Sequence, residues 1–200
     1  MDKYIAIDLG GVLIDVDGSQ YMLENIDQDL TINELWKLWC ECEPVKDFEE
    51  GKIGFAEFCK SVVRCFDMKS NAEDFASNFR GWVKRPTQDA RDLLVRIKES
   101  QFKLVTLSNS NCIHWETISS FSRFLSLFDC ALSSHEIGVR KPNILAFKKM
   151  TSYCKFNSEV IFFDDREENV IAAQKFGFSA YRVSSVNDLR VRLMEFGYLK

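Results

Sequence analysis

The chain lacks a long apolar run: its first apolar segment, Tyr4 to Ile7, is broken at once by Asp8. That is too short for the apolar region of a signal peptide or for a spanning helix, so a cytoplasmic protein with no membrane partner is expected. A charge run is lacking too. The 26 Lys and Arg stand against 30 Asp and Glu, a net charge of −4 with no basic or acidic tail, which offers no electrostatic footprint for nucleic acid. Histidine is scarce, with only His114 and His135. Neither lies at zinc-finger distance from Cys40-x-Cys42 and no second cysteine pair follows, so a structural zinc site is set aside. The seven cysteines (40, 42, 59, 65, 112, 130 and 154) are odd in number and scattered; reduced thiols are expected where no paired spacing suggests a disulfide framework. Internal repeats and low-complexity segments are also absent.

What is present is the composition of a soluble globular chain: 200 residues, 46% hydrophobic and 28% charged, enough to bury a sizeable core. Short runs rich in Val, Ile, Leu and Phe recur at Tyr4–Ile7, Lys103–Leu107, Asp129–Leu132, Val160–Phe163 and Ala180–Val183. Helix-like stretches mostly separate them, and this alternation predicts an α/β fold with a parallel sheet. Pro142 is expected in a first helical turn and Gly177 just past a helix end.

From about residue 17 to 84 the rhythm breaks. No convincing strand appears, while Thr31-Ile-Asn-Glu34 has capping-box spacing, Gly54-Phe-Ala-Glu57 a weaker version, and Asn71 suits a helix N-cap. Phe55, Phe58, Val62 and Phe66 fall on one stripe. The expected organisation is a core of residues 1–16 and 85–200 with a helical insertion over 17–84. Trp36, Trp39 and Phe48 of that insertion face either its own core or a crevice.

Four strand ends carry chemistry. Asp8 ends the first apolar run, Ser108-Asn109-Ser110-Asn111 ends the second, Arg140-Lys141-Pro142 precedes a helix, and Asp164-Asp165 ends the fourth strand. In an open parallel sheet the carboxyl ends share one edge, so these stations converge on one crevice. Asp8, Asp164 and Asp165 together repel unless a cation sits among them, and an all-oxygen set suits Mg²⁺. Lys141, Ser108 and nearby backbone N–H groups are then placed to hold a phosphate.

These residues resemble the four motifs of the haloacid dehalogenase-like (HAD) hydrolase superfamily: Asp8 in IAIDLGGVL, Ser108 in LVTLSN, Lys141 in RKP and Asp164-Asp165 in IFFDDREEN. The resemblance covers nearly the whole chain, and the helical insertion is similar to the family's small cap placed after the first motif. It implies a Rossmann-like core, with Asp8 attacking phosphorus to form an aspartyl phosphate that water hydrolyses. It further implies Mg²⁺ held by Asp8, the Gly10 carbonyl and Asp165, with Asp164 close by or acting through water. Lys141 would pair with the phosphate and steady Asp8, Ser108 would hold a phosphate oxygen, and Asn109 would assist at the substrate. The expected partner is a small phosphorylated substrate, the expected assembly a monomer or homodimer.

One residue departs from the family pattern. Most phosphatases of the family carry a second aspartate where this chain has Gly10, and that acid supplies general acid–base help worth about 10²–10⁴ in rate. Three outcomes follow: substrates with better leaving groups, such as sugar 1-phosphates; a proton shuttle borrowed from the cap, the substrate or water; or a binding protein that has lost catalysis. The Asp-Leu-Gly-Gly first motif resembles that of the family's sugar-phosphate phosphatases, which favours the first. Asp15 and Asp17 are conceivable shuttles, although a polar hinge explains them better. Carbon–halogen hydrolysis is the enzymatic rival. Dehalogenases of the family also lack the second aspartate, but Gly10-Gly11 shows no tyrosine of theirs and the acid pair argues for a divalent ion.

Overall fold

The structure, a computed structural model, describes residues 3–100, 102–153 and 159–199; Cys154 lies outside them. Five parallel strands, β1 (Lys3–Ile7), β2 (Phe102–Ser108), β3 (Cys130–Ser133), β4 (Glu159–Asp164) and β5 (Ser179–Arg182), form one sheet in the order β3-β2-β1-β4-β5. β1 is central, and Tyr4 to Ile7 are buried, as befits a strand covered on both faces.

Alternate residues of each strand feed opposite layers. Ile5, Ile7, Leu104, Ile161 and Phe163 pack with α6 (Gln88–Glu99), α7 (Cys112–Ser120) and α11 (Val186–Glu195). Tyr4, Ala6, Val105, Leu107 and Phe162 pack with α9 (Ile144–Thr151) and α10 (Glu167–Phe176) on the other side. This three-layer α/β architecture is the Rossmann-like core. A short helix, α8 (Ser134–Ile137), follows β3.

Between β1 and α6 lie α1 (Ser19–Asn25), α2 (Ile32–Glu41), α3 (Glu43–Glu49), α4 (Phe55–Cys65) and α5 (Ala72–Phe79). They bury a cluster of their own, rich in aromatics: Trp39, Phe48, Phe58, Phe75, Phe79 and Trp82. Phe48 and Phe58 stack with centroids 4.2 Å apart. Phe58, Val62 and Phe66 of the aromatic stripe are buried and Phe55 packs against them. The segments entering and leaving this helical lobe pair with each other: Asp17 N–H donates to the Trp82 carbonyl (3.1 Å) and Lys84 N–H to the Asp15 carbonyl (2.8 Å).

Local signals held at most helix ends. Thr31 and Glu34 form a reciprocal capping box, Asn71 accepts from the N–H groups of Glu73 and Asp74, and Gly177 (φ +107°) ends α10 in the left-handed region. Two expectations are corrected. α4 begins after Gly54 with no side-chain cap, because glycine offers no oxygen and Glu57 has nothing to reciprocate. Pro142 precedes Asn143, the N-cap of α9, and its peptide bond with Lys141 is cis. No described helix is long and apolar enough to cross a membrane.

Candidate active site

Strand register builds the site. Ile7 lies beside Phe163, and the Asp8 N–H donates to the Phe163 carbonyl at 2.9 Å, so Asp8 and Asp164 leave adjacent strands side by side. Asp8, Asp164 and Asp165 each offer an oxygen within 4.8 Å of the others. Lys141 meets two of them: its Nζ is 2.6 Å from Asp164 Oδ2 and 3.2 Å from Asp8 Oδ2. Three carboxylates against one ammonium leave an excess of two negative charges, a balance that a divalent cation on oxygen donors would neutralise.

The electrostatics say the same. Burial raises the Asp8 carboxyl to about 7; Lys141 opposes that rise, and Asp164 and Asp165 add to it. Asp165 is raised to about 6, first by burial and then by Asp164. Burial works to lower the Lys141 ammonium, but Asp164 and Asp8 outweigh it and hold it above the ordinary lysine range.

The acids differ in freedom. Asp164 is fully buried and both its oxygens have protein donors: Lys141 on Oδ2, with the Arg166 N–H (3.0 Å) and Asn169 Nδ2 (2.8 Å) on Oδ1. Asp8 and Asp165 face a cavity of about 530 Å³ between sheet edge and helical lobe. Gly10, Ser108 and Asn109 line the same cavity, so the four stations do meet.

Two predicted site residues sit differently from expectation. Lys141 is wholly buried and presents no surface to the cavity, touching it only through Asp8. Asn109 lines the cavity, yet its amide is engaged with the Lys141 main chain: Nδ2 donates to the Lys141 carbonyl and Oδ1 accepts from the Lys141 N–H, each at 2.8 Å.

The glycines of the first motif have separate uses. Gly11 has φ +72°, and a Cβ there would stand 2.5 Å from Asp165 Oδ2, so a side chain would displace that carboxylate. At Gly10 the nearest atom to a built Cβ is Val16 Cγ2 at 3.8 Å. Space for a side chain is therefore present at Gly10. Asp15 and Asp17 do not line the cavity; Asp17 Oδ1 accepts from the Ser19 N–H and hydroxyl at the start of α1.

Trp36, Trp39 and Phe48, expected either in the lobe core or at a crevice, reach the cavity from the lobe. Sequence reasoning passed over Cys40 and Glu49 of the lobe and Arg166 of the core, which line it too, as does Arg140. Trp39 and Phe48 serve both environments, being buried in the lobe as well. Arg140 carried a signal in its place beside Lys141; Cys40, Glu49 and Arg166 carried none.

The fold is that of HAD family enzymes among solved structures. No protein-family model matches the chain. It is 24% identical to D-ribitol-5-phosphate phosphatase of Bacteroides thetaiotaomicron, over 96% of this chain and 97% of that protein. Among solved structures, a HAD family enzyme from the same organism, in complex with magnesium and inorganic phosphate, superposes with a TM-score of 0.70 at 23% identity, covering 91% of this chain and 94% of that one. A HAD-like family hydrolase from Porphyromonas gingivalis gives 0.77 at 22% identity over the full length of both.

Proposed function

We propose that the chain is a Mg²⁺-dependent phosphatase acting on a small phosphorylated metabolite such as a sugar or polyol phosphate. The observation that carries this reading is the convergence of Asp8, Asp164 and Asp165 with Lys141 at the carboxyl edge of the sheet, facing a cavity of about 530 Å³. The all-oxygen donor set fits magnesium, and the curated relative acts on a polyol phosphate. Bound magnesium would supply charge neutralisation at the phosphate.

In this reading the Asp8 carboxylate attacks phosphorus as the P–O ester bond breaks, and the departing oxygen takes its proton from water because Gly10 offers none. A further water cleaves the aspartyl phosphate, releasing inorganic phosphate and restoring Asp8. Asp8 and Asp165 with the Gly10 carbonyl would hold the metal, and Asp164 chiefly anchors Lys141. Lys141 steadies Asp8 from behind, Ser108 contacts a phosphate oxygen, and Asn109 acts through the Lys141 main chain. Residues 17–84 serve as the cap, which shields the reaction from bulk water and selects the substrate.

The test is phosphate release from a panel of phosphorylated metabolites and an aryl phosphate, with and without Mg²⁺. Wild type should release phosphate only with the metal, and Asp8→Asn should fall to background. Release equal to the mutant's would favour a phosphate-binding protein. Chelator-insensitive halide release from a 2-haloacid would favour a dehalogenase.

A further inference from the structure

Arg140 is a core residue held almost entirely by the helical lobe. Its Nη1 donates to the Cys40 carbonyl at 3.3 Å, its N–H donates to Glu50 Oε1 at 3.3 Å, and its Nε lies 3.0 Å from Glu49 Oε2. The last contact is an ion pair without an aligned hydrogen bond, and both side chains are largely buried, at 11% and 16% exposure. The turn after α3 also closes on the core here. Gly51 takes φ +70°, and a Cβ on it would lie 2.6 Å from the His135 carbonyl oxygen.

The next residue is Lys141, whose ammonium touches Asp8 and Asp164. Its main chain has little slack, since Asn109 grips both the N–H and the carbonyl. A displacement of Arg140 therefore passes to the ammonium that steadies the nucleophile. We propose that Glu49 and Arg140 form a latch through which docking of the lobe sets the position of Lys141, and through it Asp8. Both are positioning residues, and the idea rests on the phosphatase reading above.

The planar fork of arginine suits this task because one side chain meets two lobe groups in fixed directions; lysine keeps the charge but not the directions. Coupling carried through packed contacts changes function by roughly 2- to 30-fold. A latch moves turnover more than substrate affinity, and its two halves do not act independently.

The experiment measures kcat, KM and melting temperature for wild type, Glu49→Gln, Arg140→Gln, Arg140→Lys and the Glu49→Gln/Arg140→Gln double variant, with an aryl phosphate and a polyol phosphate. Expected is a fall in kcat of roughly 2- to 30-fold in each glutamine variant on both substrates, KM changing less than kcat. The double variant should be no slower than the slower single one, and Arg140→Lys should lie between wild type and Arg140→Gln. If Arg140→Gln does not fold, Glu49→Gln and Arg140→Lys give the same kcat-against-KM comparison. The latch is overturned by unchanged kcat in the folded variants, by losses that multiply in the double variant, or by a KM rise confined to the polyol phosphate, which would mark direct substrate contact. A wild type inert on every ester would instead defeat the phosphatase reading itself.

Discussion

At the scale of single residues, Gly10 and Gly11 make opposite forecasts. Gly10 has room for a side chain, so Gly10→Asp introduces the missing acid without strain. It should raise turnover of alkyl phosphates, by up to about 10²–10⁴, and that of aryl phosphates much less, because a good leaving group needs little protonation. The ratio of the two rates is the measurement. Gly11→Ala drives a methyl into Asp165 and should weaken magnesium binding by roughly 10- to 100-fold, read by calorimetric titration. Asp8, Ser108, Lys141 and the acid pair were legible in the sequence because each ends an apolar run or precedes a helix, and parallel strands bring such ends to one edge. Glu49 was not legible. Its partner lies on a different lobe, and no local pattern marks a carboxylate destined for an ion pair with Arg140.

At the scale of elements, α5 and α7 meet through a buried imidazole. His114 stacks on Phe79 with centroids 4.2 Å apart and 20° between planes. Its Nε2 donates to the Phe79 carbonyl at 3.1 Å, and its Nδ1 accepts from Asn111 Nδ2 at 3.3 Å. Burial lowers its pKa from 6.5 to about 4. The unfolded chain binds this proton more readily, so the stability tied to His114 is complete above pH 6.5 and is lost as pH falls from there toward 4. Asp8 and Asp165 have the opposite sign. Their raised folded values favour the native state at low pH, and that gain disappears as pH rises through about 6 to 7. The histidine contribution is thus isolated as a difference in magnesium-free protein: the melting temperature of wild type should drop relative to His114→Leu between pH 6.5 and 4.5. The strands were readable because their apolar runs are continuous and buried, and the capping box at Thr31 because its reciprocity is local. The absence of a cap at Gly54 and the cis bond before Pro142 follow from tertiary placement, which no short pattern encodes.

At the scale of the whole molecule, the carboxylate cluster is a liability that a cation should turn into an asset. Magnesium at about 100 times its dissociation constant should add about 2.7 kcal/mol of stability, a rise of about 2–4 °C in melting temperature per kcal/mol for a chain of this size. Calorimetric scans with magnesium and with chelator check this, and Asp165→Asn should remove most of the difference. The sheet order has a consequence for how the chain reaches its native form. β1 is completed first, but its neighbours β2 and β4 begin at Phe102 and Glu159, so the middle of the sheet has to wait for pairing while the five helices of the lobe form ahead of it. Such distant pairings make for slow folding, and until they form, the unpaired edges of β1 are the segment most exposed to association with another chain.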